Sequence, residues 1–124
     1  MNEQLKQAIT TIAEYMGWKQ IDERFWINDS KSIVESMGNL FWLYTNSADA
    51  LLDVWRKVRD EIHSKYDESR TGKEWHSQYS DYESCLLQLS TKTDFILHKK
   101  IAENNYPTAC IELAEIIKQL KEKV

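Results

Sequence analysis

The side chains best suited to chemistry in this sequence are three histidines, His63, His76 and His98, and two thiols, Cys85 and Cys110. The histidines are spread through the chain. Only His76 has suggestive company, beside Trp75 and close to Tyr79, Asp81, Tyr82 and Glu83. A histidine next to a carboxylate can act as a general base or hold a metal ion, because its pKa lies near neutrality and the acid can orient the ring. The metal-binding reading needs a second ligand at a fixed spacing, and no HExxH, HxxxH or His-Cys pattern supplies one. An isolated histidine is more often simply solvated. Both thiols lie on apolar stripes, where a cysteine behaves as a small hydrophobe with a raised pKa. No GxSxG is present. Three glycines, Gly17, Gly38 and Gly72, cannot build a phosphate-cradling loop. The acidic pairs Asp22-Glu23, Asp60-Glu61 and Asp67-Glu68 read as solvated surface, and no EF-hand loop is present. No cofactor is expected.

Aromatic residues are the second candidate. Phe25-Trp26 and Phe41-Trp42, with Tyr44 close behind, could form a surface for bases, sugars or a protein. Stacking platforms for nucleic acid accompany a basic groove. Here the net charge is −4 and the tight basic groups are Lys99-Lys100 and the scattered Lys118, Lys121 and Lys123. Nucleic-acid binding is therefore not expected. Core packing is the ordinary fate of such rings. If one face of the aromatic segment stays open, a protein partner or self-association is what remains. The candidate contact residues are thus Trp26, Trp42, Tyr44, Trp75, His76 and Tyr79.

These residues must be held by something. A chain of 124 residues with 42% hydrophobic content suits one domain, with five Trp, six Tyr and three Phe to fill its core. No stretch approaches the roughly 18 apolar residues of a membrane span. The opening MNEQLKQAIT is polar and amphipathic, unlike a signal peptide. A cytoplasmic protein with reduced cysteines is the expectation.

The longest regular element is 46–66. Ala48, Leu51, Leu52, Trp55, Val58, Ile62 and Tyr66 share a helical face, capped by Asn46 or Ser47. Asp53 with Lys57, and Glu61 with Lys65, are acid-before-base pairs four apart on the opposite face. A second helix covers 2–16 through Leu5, Ala8, Ile9, Ile12, Ala13 and Met16, with Gly17 placed for a left-handed cap. A third begins at Pro107 and buries Cys110, Leu113, Ala114, Ile117, Leu120 and Val124, widened by Ile111 and Ile116. Phe25 to Ile27 and Leu40 to Thr45 are short, aromatic and bounded by turn residues, which predicts strands. Ile33 to Met37 fits a strand or a helical turn equally. Residues 67–73, DESRTGK, read as a loop. Trp75, Tyr79, Tyr82, Leu86 and Leu89 repeat at a helical period and predict a helix over about 73–89. Asp94 to Ile101 reads as a strand from its partial alternation.

Three segments together resemble a known group. Ile12 to Trp18 (IAEYMGW), Tyr44 to Leu52 (YTNSADALL), and the closing run from Pro107-Thr108-Ala109 to Ile116-Ile117-Lys118-Gln119-Leu120 are similar, in order, to small proteins carried by bacteriophages, prophages and mobile elements. Some of these are grouped as phage α–β–α-sandwich-like domains. The closing helix of that group often ends on an aromatic pair, where Gln119-Leu120 stands here, and 67–100 has no counterpart. The resemblance implies an intracellular accessory protein with a layered α+β fold and carries over no catalytic residue.

The expectation is a helix-rich α+β domain spanning 1–124, three to four amphipathic helices on a two- to three-stranded sheet. An all-α bundle with an irregular hairpin is the alternative. The functional expectation is a non-enzymatic accessory or interaction protein; the alternative is a small ligand- or metal-binding domain or enzyme using His76 with nearby acids. Truncation before Leu113 removes several core side chains worth roughly 1.5–3 kcal/mol each. Its expected outcome is loss of the cooperative thermal transition in circular dichroism.

Overall fold

The first helix is set by its cap. In the computed structural model, which describes residues 2–123, the Asn2 side chain accepts from the backbone N–H groups of Gln4 (2.8 Å) and Leu5 (3.3 Å). Helix α1 then runs Glu3–Tyr15 and buries Ala8, Ile9, Ile12 and Ala13. Gly17 ends it with φ of 93°, a left-handed conformation that disfavours any side chain.

The chain next makes three short strands, β1 (Trp18–Gln20), β2 (Phe25–Asn28) and β3 (Ile33–Ser36), in an antiparallel sheet of that order. Opposite residues share a face, so the register puts Trp18 beside Asn28 and Trp26 beside Glu35 on one side. Trp18, Trp26 and Asn28 are buried there. Ile27 and Val34, a directly paired couple, lie on the other side with Phe25. The open choice at 33–37 is thus resolved as strand through Ser36. Strand β1 has no sequence signal beyond Trp18, since Lys19 and Gln20 are solvent-facing on an edge.

Four expectations need correction. The predicted strand Leu40–Thr45 is part of a helix, α2 (Met37–Asn46). Ser36 caps it by accepting from Asn39 N–H (3.1 Å), and Thr45 and Asn46 bond back to the Phe41 and Trp42 carbonyls. A short run apolar on all sides has no period to distinguish the two structures, and the cap decided it. The central helix α3 covers Ala48–Arg70, so 67–70 is helical and the loop is 71–80. Helix α4 starts at Asp81, not near 73. Ser80 and Glu83 form a capping box there, and the buried stripe is Glu83, Leu86, Leu89, Thr93 and Ile96. Finally, Asp94–Ile101 is no strand. Helix α4 continues to Ile96 and passes into a π-helical segment, Leu97–Ile101. Its bonds span five residues, as in Ala102 N–H to the Leu97 carbonyl (3.0 Å), which brings the buried Ile96 and Ile101 to one side.

Helix α5 (Tyr106–Lys123) buries Ala109, Cys110, Leu113, Ala114, Ile116, Ile117 and Leu120 and packs against all four other helices. Val124 and the Lys123 side chain lie outside the described residues. The fold is therefore helix-rich α+β, with five α-helices and a three-stranded antiparallel sheet among the described residues, and the all-α alternative is excluded.

Helix α3 buries Leu51, Val54, Trp55, Val58 and Ile62. The two predicted acid-base pairs on its outer face give way to tertiary bonds. Glu61 accepts from the Tyr15 hydroxyl (3.1 Å), while Lys57 donates to the Tyr15 carbonyl and covers its ring at 4.4 Å. Lys57 thereby satisfies a carbonyl left free at the C-terminus of α1, and Asp53 pairs instead with Arg56 (3.2 Å). Trp55 Nε1 donates to the buried Thr93 carbonyl (2.8 Å), tying α3 to α4.

Cys110 is buried against the Tyr44 carbonyl at 3.0 Å, and burial pushes its thiol up to about 12. Cys85 is only half-buried. A thiol reagent at pH 8 is expected to modify Cys85 in the native protein and Cys110 only after denaturant is added; equal native rates would contradict this packing.

Candidate functional site

The six predicted contact residues divide into a buried pair, Trp42 by itself, and three residues of the 71–80 loop. Trp26 and Tyr44 are core residues, at 2% and 3% exposure. Tyr44 faces inward because α2 is helical and places it one turn after the buried Leu40. The same geometry turns Trp42 outward, to 62% exposure. Trp42 and Ile33 stand at a cleft of about 430 Å³ floored by Trp18 and Leu40. Asn39 donates to Glu35 at 2.9 Å on its polar side.

Around the same hairpin, the outer face of the sheet carries Phe25, Ile27 and Val34, with Lys19 opposite Ile27 and Ser36 opposite Phe25. Val34 is 53% exposed and Phe25 44%, with Ile27 between them and Ile21 exposed where β1 ends. Helices α1 and α2 contact the sheet through β1 and β3. Sequence reasoning identified Trp42 and missed this face. Phe25-Trp26-Ile27 had revealed a strand, but only the register shows that Val34 joins Phe25 and Ile27.

The remaining three residues lie in the 71–80 loop. Its organiser is Glu83, fully buried at the start of α4. Glu83 Oε1 accepts from Lys73 Nζ and from the Ser80 backbone N–H, both at 3.0 Å, and Oε2 accepts from Arg70 Nη1 at 3.2 Å. Arg70 also donates to the Glu74 carbonyl (2.8 Å) and lies over the Tyr79 ring at 5.2 Å. The loop is thus gripped from α3 and α4 together. The Ser80 N–H contributes most to holding the Glu83 carboxyl at about 2, helped by Lys73 and Arg70 and opposed by burial.

Trp75 projects from this loop at 90% exposure, with its ring edge-on to His76 (centroids 5.7 Å apart). His76 pairs with Glu74 at 2.8 Å, and both side chains are open to solvent. Asp81 and Glu83 do not join it, since Glu83 is committed to Arg70, Lys73 and Ser80. The structure puts Trp75, His76 and Tyr79 on this loop and not on the helix expected over about 73–89, with Trp75 against His76 and Tyr79 against Arg70 and Tyr66. Sequence reasoning missed Arg70 and Glu83 as the residues that position them, although the Ser80-to-Glu83 spacing was a legible capping box. His63 and His98 are exposed and far from one another in sequence. Among the described residues, no group of three His, Cys, Asp or Glu stands close enough to hold a metal ion. Among them also, no helix is long and apolar enough to cross a membrane.

No protein-family model matches this chain, and the searches of curated proteins and of solved structures find no match either.

The Glu83 grip has a defined pH signature. Its folded pKa of about 2 lies below the ordinary 4.5, so its stabilisation is complete above pH 4.5 and is lost progressively as pH falls from there through about 2. The stability difference between wild type and Glu83→Gln, from urea unfolding, is expected to be greatest near neutral pH and to shrink across that interval. A difference that stays constant down to pH 2 would contradict the grip.

Proposed function

We propose that this chain is a non-enzymatic interaction protein, of the accessory kind carried by phages and mobile elements, which binds a protein partner or a second copy of itself through its β-hairpin. The supporting observation is apolar surface left open on both sides of the hairpin: Phe25, Ile27 and Val34 stand on its outward face, and Trp42 with Ile33 lines a cleft on the opposite side. Burial of exposed apolar surface is the main driving force of association, and tryptophan is among the residue types most enriched at its energetic centre. Strand β3 is an edge, with backbone groups free on one side to pair with an added strand. The phage or mobile-element origin is supported by the three similar segments at Ile12–Trp18, Tyr44–Leu52 and Pro107–Leu120. The net charge of −4 supports a protein rather than a nucleic acid as partner. The alternative centred on His76 has no favouring observation, because among the described residues its side chain pairs only with the solvent-exposed Glu74.

The test is sedimentation across a wide concentration range, with affinity capture from the host in parallel. Trp42→Ala is expected to weaken whichever association is found by about 30-fold, roughly 2 kcal/mol. Val34→Lys, on the outer face, should weaken it as well while leaving the thermal midpoint nearly unchanged. A protein that stays monomeric at millimolar concentration and captures nothing sensitive to either substitution would overturn the reading.

A further inference from the structure

The backbone of an antiparallel strand alternates in direction, so the bonds β3 makes to β2 fix which of its groups point away. Met37 N–H donates to the Arg24 carbonyl and Ile21 N–H to the Phe25 carbonyl, both at 2.9 Å. On that alternation Ile33, opposite Asn28, and Glu35, opposite Trp26, direct their backbone groups to β2. Those of Val34 point the other way, to an edge that no strand occupies among the described residues. A trans peptide holds its carbonyl opposite the next N–H, so the Ser32 carbonyl and the Ser36 N–H face this edge too. Ser32 N–H and the Ser36 carbonyl are already used. The first donates to the Asp29 carbonyl at 3.3 Å, and the second, at the N-cap of α2, accepts the first helical bond. The open set is therefore the Ser32 carbonyl, both groups of Val34, and the Ser36 N–H.

The two edges of the sheet differ in what guards them. Strand β1 is three residues long and exposes Lys19 and Gln20, and a short, charged edge discourages pairing. Strand β3 exposes Ile33 at 41% and Val34 at 53% instead. Lys31, Ile33 and Glu35 line the cleft beside Trp42. Among the described residues, neither Lys31 nor Glu35 belongs to an ion pair.

We infer that β3 pairs antiparallel with β3 of a second copy of this chain, about a two-fold axis at Val34, joining the three strands of each copy into one continuous sheet. The pairing rests on the reading of the hairpin as an interaction surface and names its occupant. Each Val34 N–H donates to the Val34 carbonyl of the other copy, and each Ser36 N–H to its Ser32 carbonyl. Every open group on both edges is then matched. A two-fold register centred on Ile33 would need Ser32 N–H, which the turn has taken, and one centred on Glu35 would need the Ser36 carbonyl, which α2 has taken. Charge agrees with the Val34 register. Ile33 falls opposite Glu35 of the second copy, and Lys31 lies diagonal to that carboxylate, within reach of a long side chain. The symmetry makes this contact twice. On the outward face, Ile27 and Val34 are direct neighbours, and each exposed Val34 gains the other copy's Val34 as an apolar cross-strand partner.

The test is sedimentation velocity of the whole chain from micromolar to millimolar concentration. A dimer is expected to form as concentration rises, and amide hydrogen exchange at Val34 and Ser36 is expected to slow in step with it. Lys31→Glu alone, or Glu35→Lys alone, sets like charges across the axis twice and should weaken the dimer by about tenfold. Mixing the two variants should restore association as a heterodimer, because both contacts then join opposite charges. Val34→Pro removes an N–H that the sheet itself does not use, a change edge strands accept, and should abolish the dimer. Should the proline variant fail to fold, the mixing experiment still decides, since misfolded variants would not rescue one another. A dimer whose Val34 and Ser36 amides exchange as fast as in the monomer, or charge variants that stay apart on mixing, overturns the inference. A chain that stays monomeric yet captures a host protein through the hairpin sinks this pairing alone and leaves the interaction function standing.

Discussion

Burial of α5 is the constraint on which the rest of the structure depends. Every other helix packs against it, and its inward residues are almost wholly removed from water. Three of them, Ala109, Cys110 and Ala114, are small, which lets neighbouring helices approach closely. Leu113, Ile117 and Leu120 fill the remaining space. A helix surrounded in this way leaves little of its surface for a sheet. The three strands consequently sit at the periphery, attached through Trp18 and Trp26. The apolar surface left open on the hairpin follows from how the helices share α5, not from any local feature of the strands.

The 71–80 loop shows a different physical solution. It contributes little to the apolar core, so its conformation rests on a buried carboxylate and two cations. Buried ion pairs are weak evidence of net stability, since desolvation offsets much of the attraction. Their effect here is positional. Arg70 ends α3, Glu83 begins α4, and a bond between them fixes how the loop leaves one helix and enters the other. Trp75 and His76 are displayed by that arrangement instead of being enclosed by it. The His76 side chain and its partner Glu74 stand open to solvent on that loop.

Amphipathic stretches of a dozen residues or more were legible in the sequence. Helices α1, α3 and α5 carry repeated apolar positions, with recognisable signals at Gly17, Ser47 and Pro107. The candidate site was legible only in part. Trp42 and Trp75 could be named as aromatic and available, but nothing in their neighbours separated them from Trp26, which is buried. Large rings next to one another in sequence look alike until the element that carries them is known.

What the sequence alone determined was therefore the helix-rich α+β class, the three strong helices, one strand at Phe25–Ile27, and the absence of a recognisable catalytic or metal motif. Tertiary structure decided much of the rest. It joined α4 to a π-turn that seats Ile101 in the core, whereas the helical state of Leu40–Thr45 and the start of α4 were set by local caps at Ser36 and Ser80–Glu83 that the apolar pattern obscured. It also chose which aromatic rings face water. The physical reason is the same in each case. Short segments carry too few residues for periodicity to outweigh a single cap or a few core contacts, so a local cap or packing assigns their conformation and their exposed face.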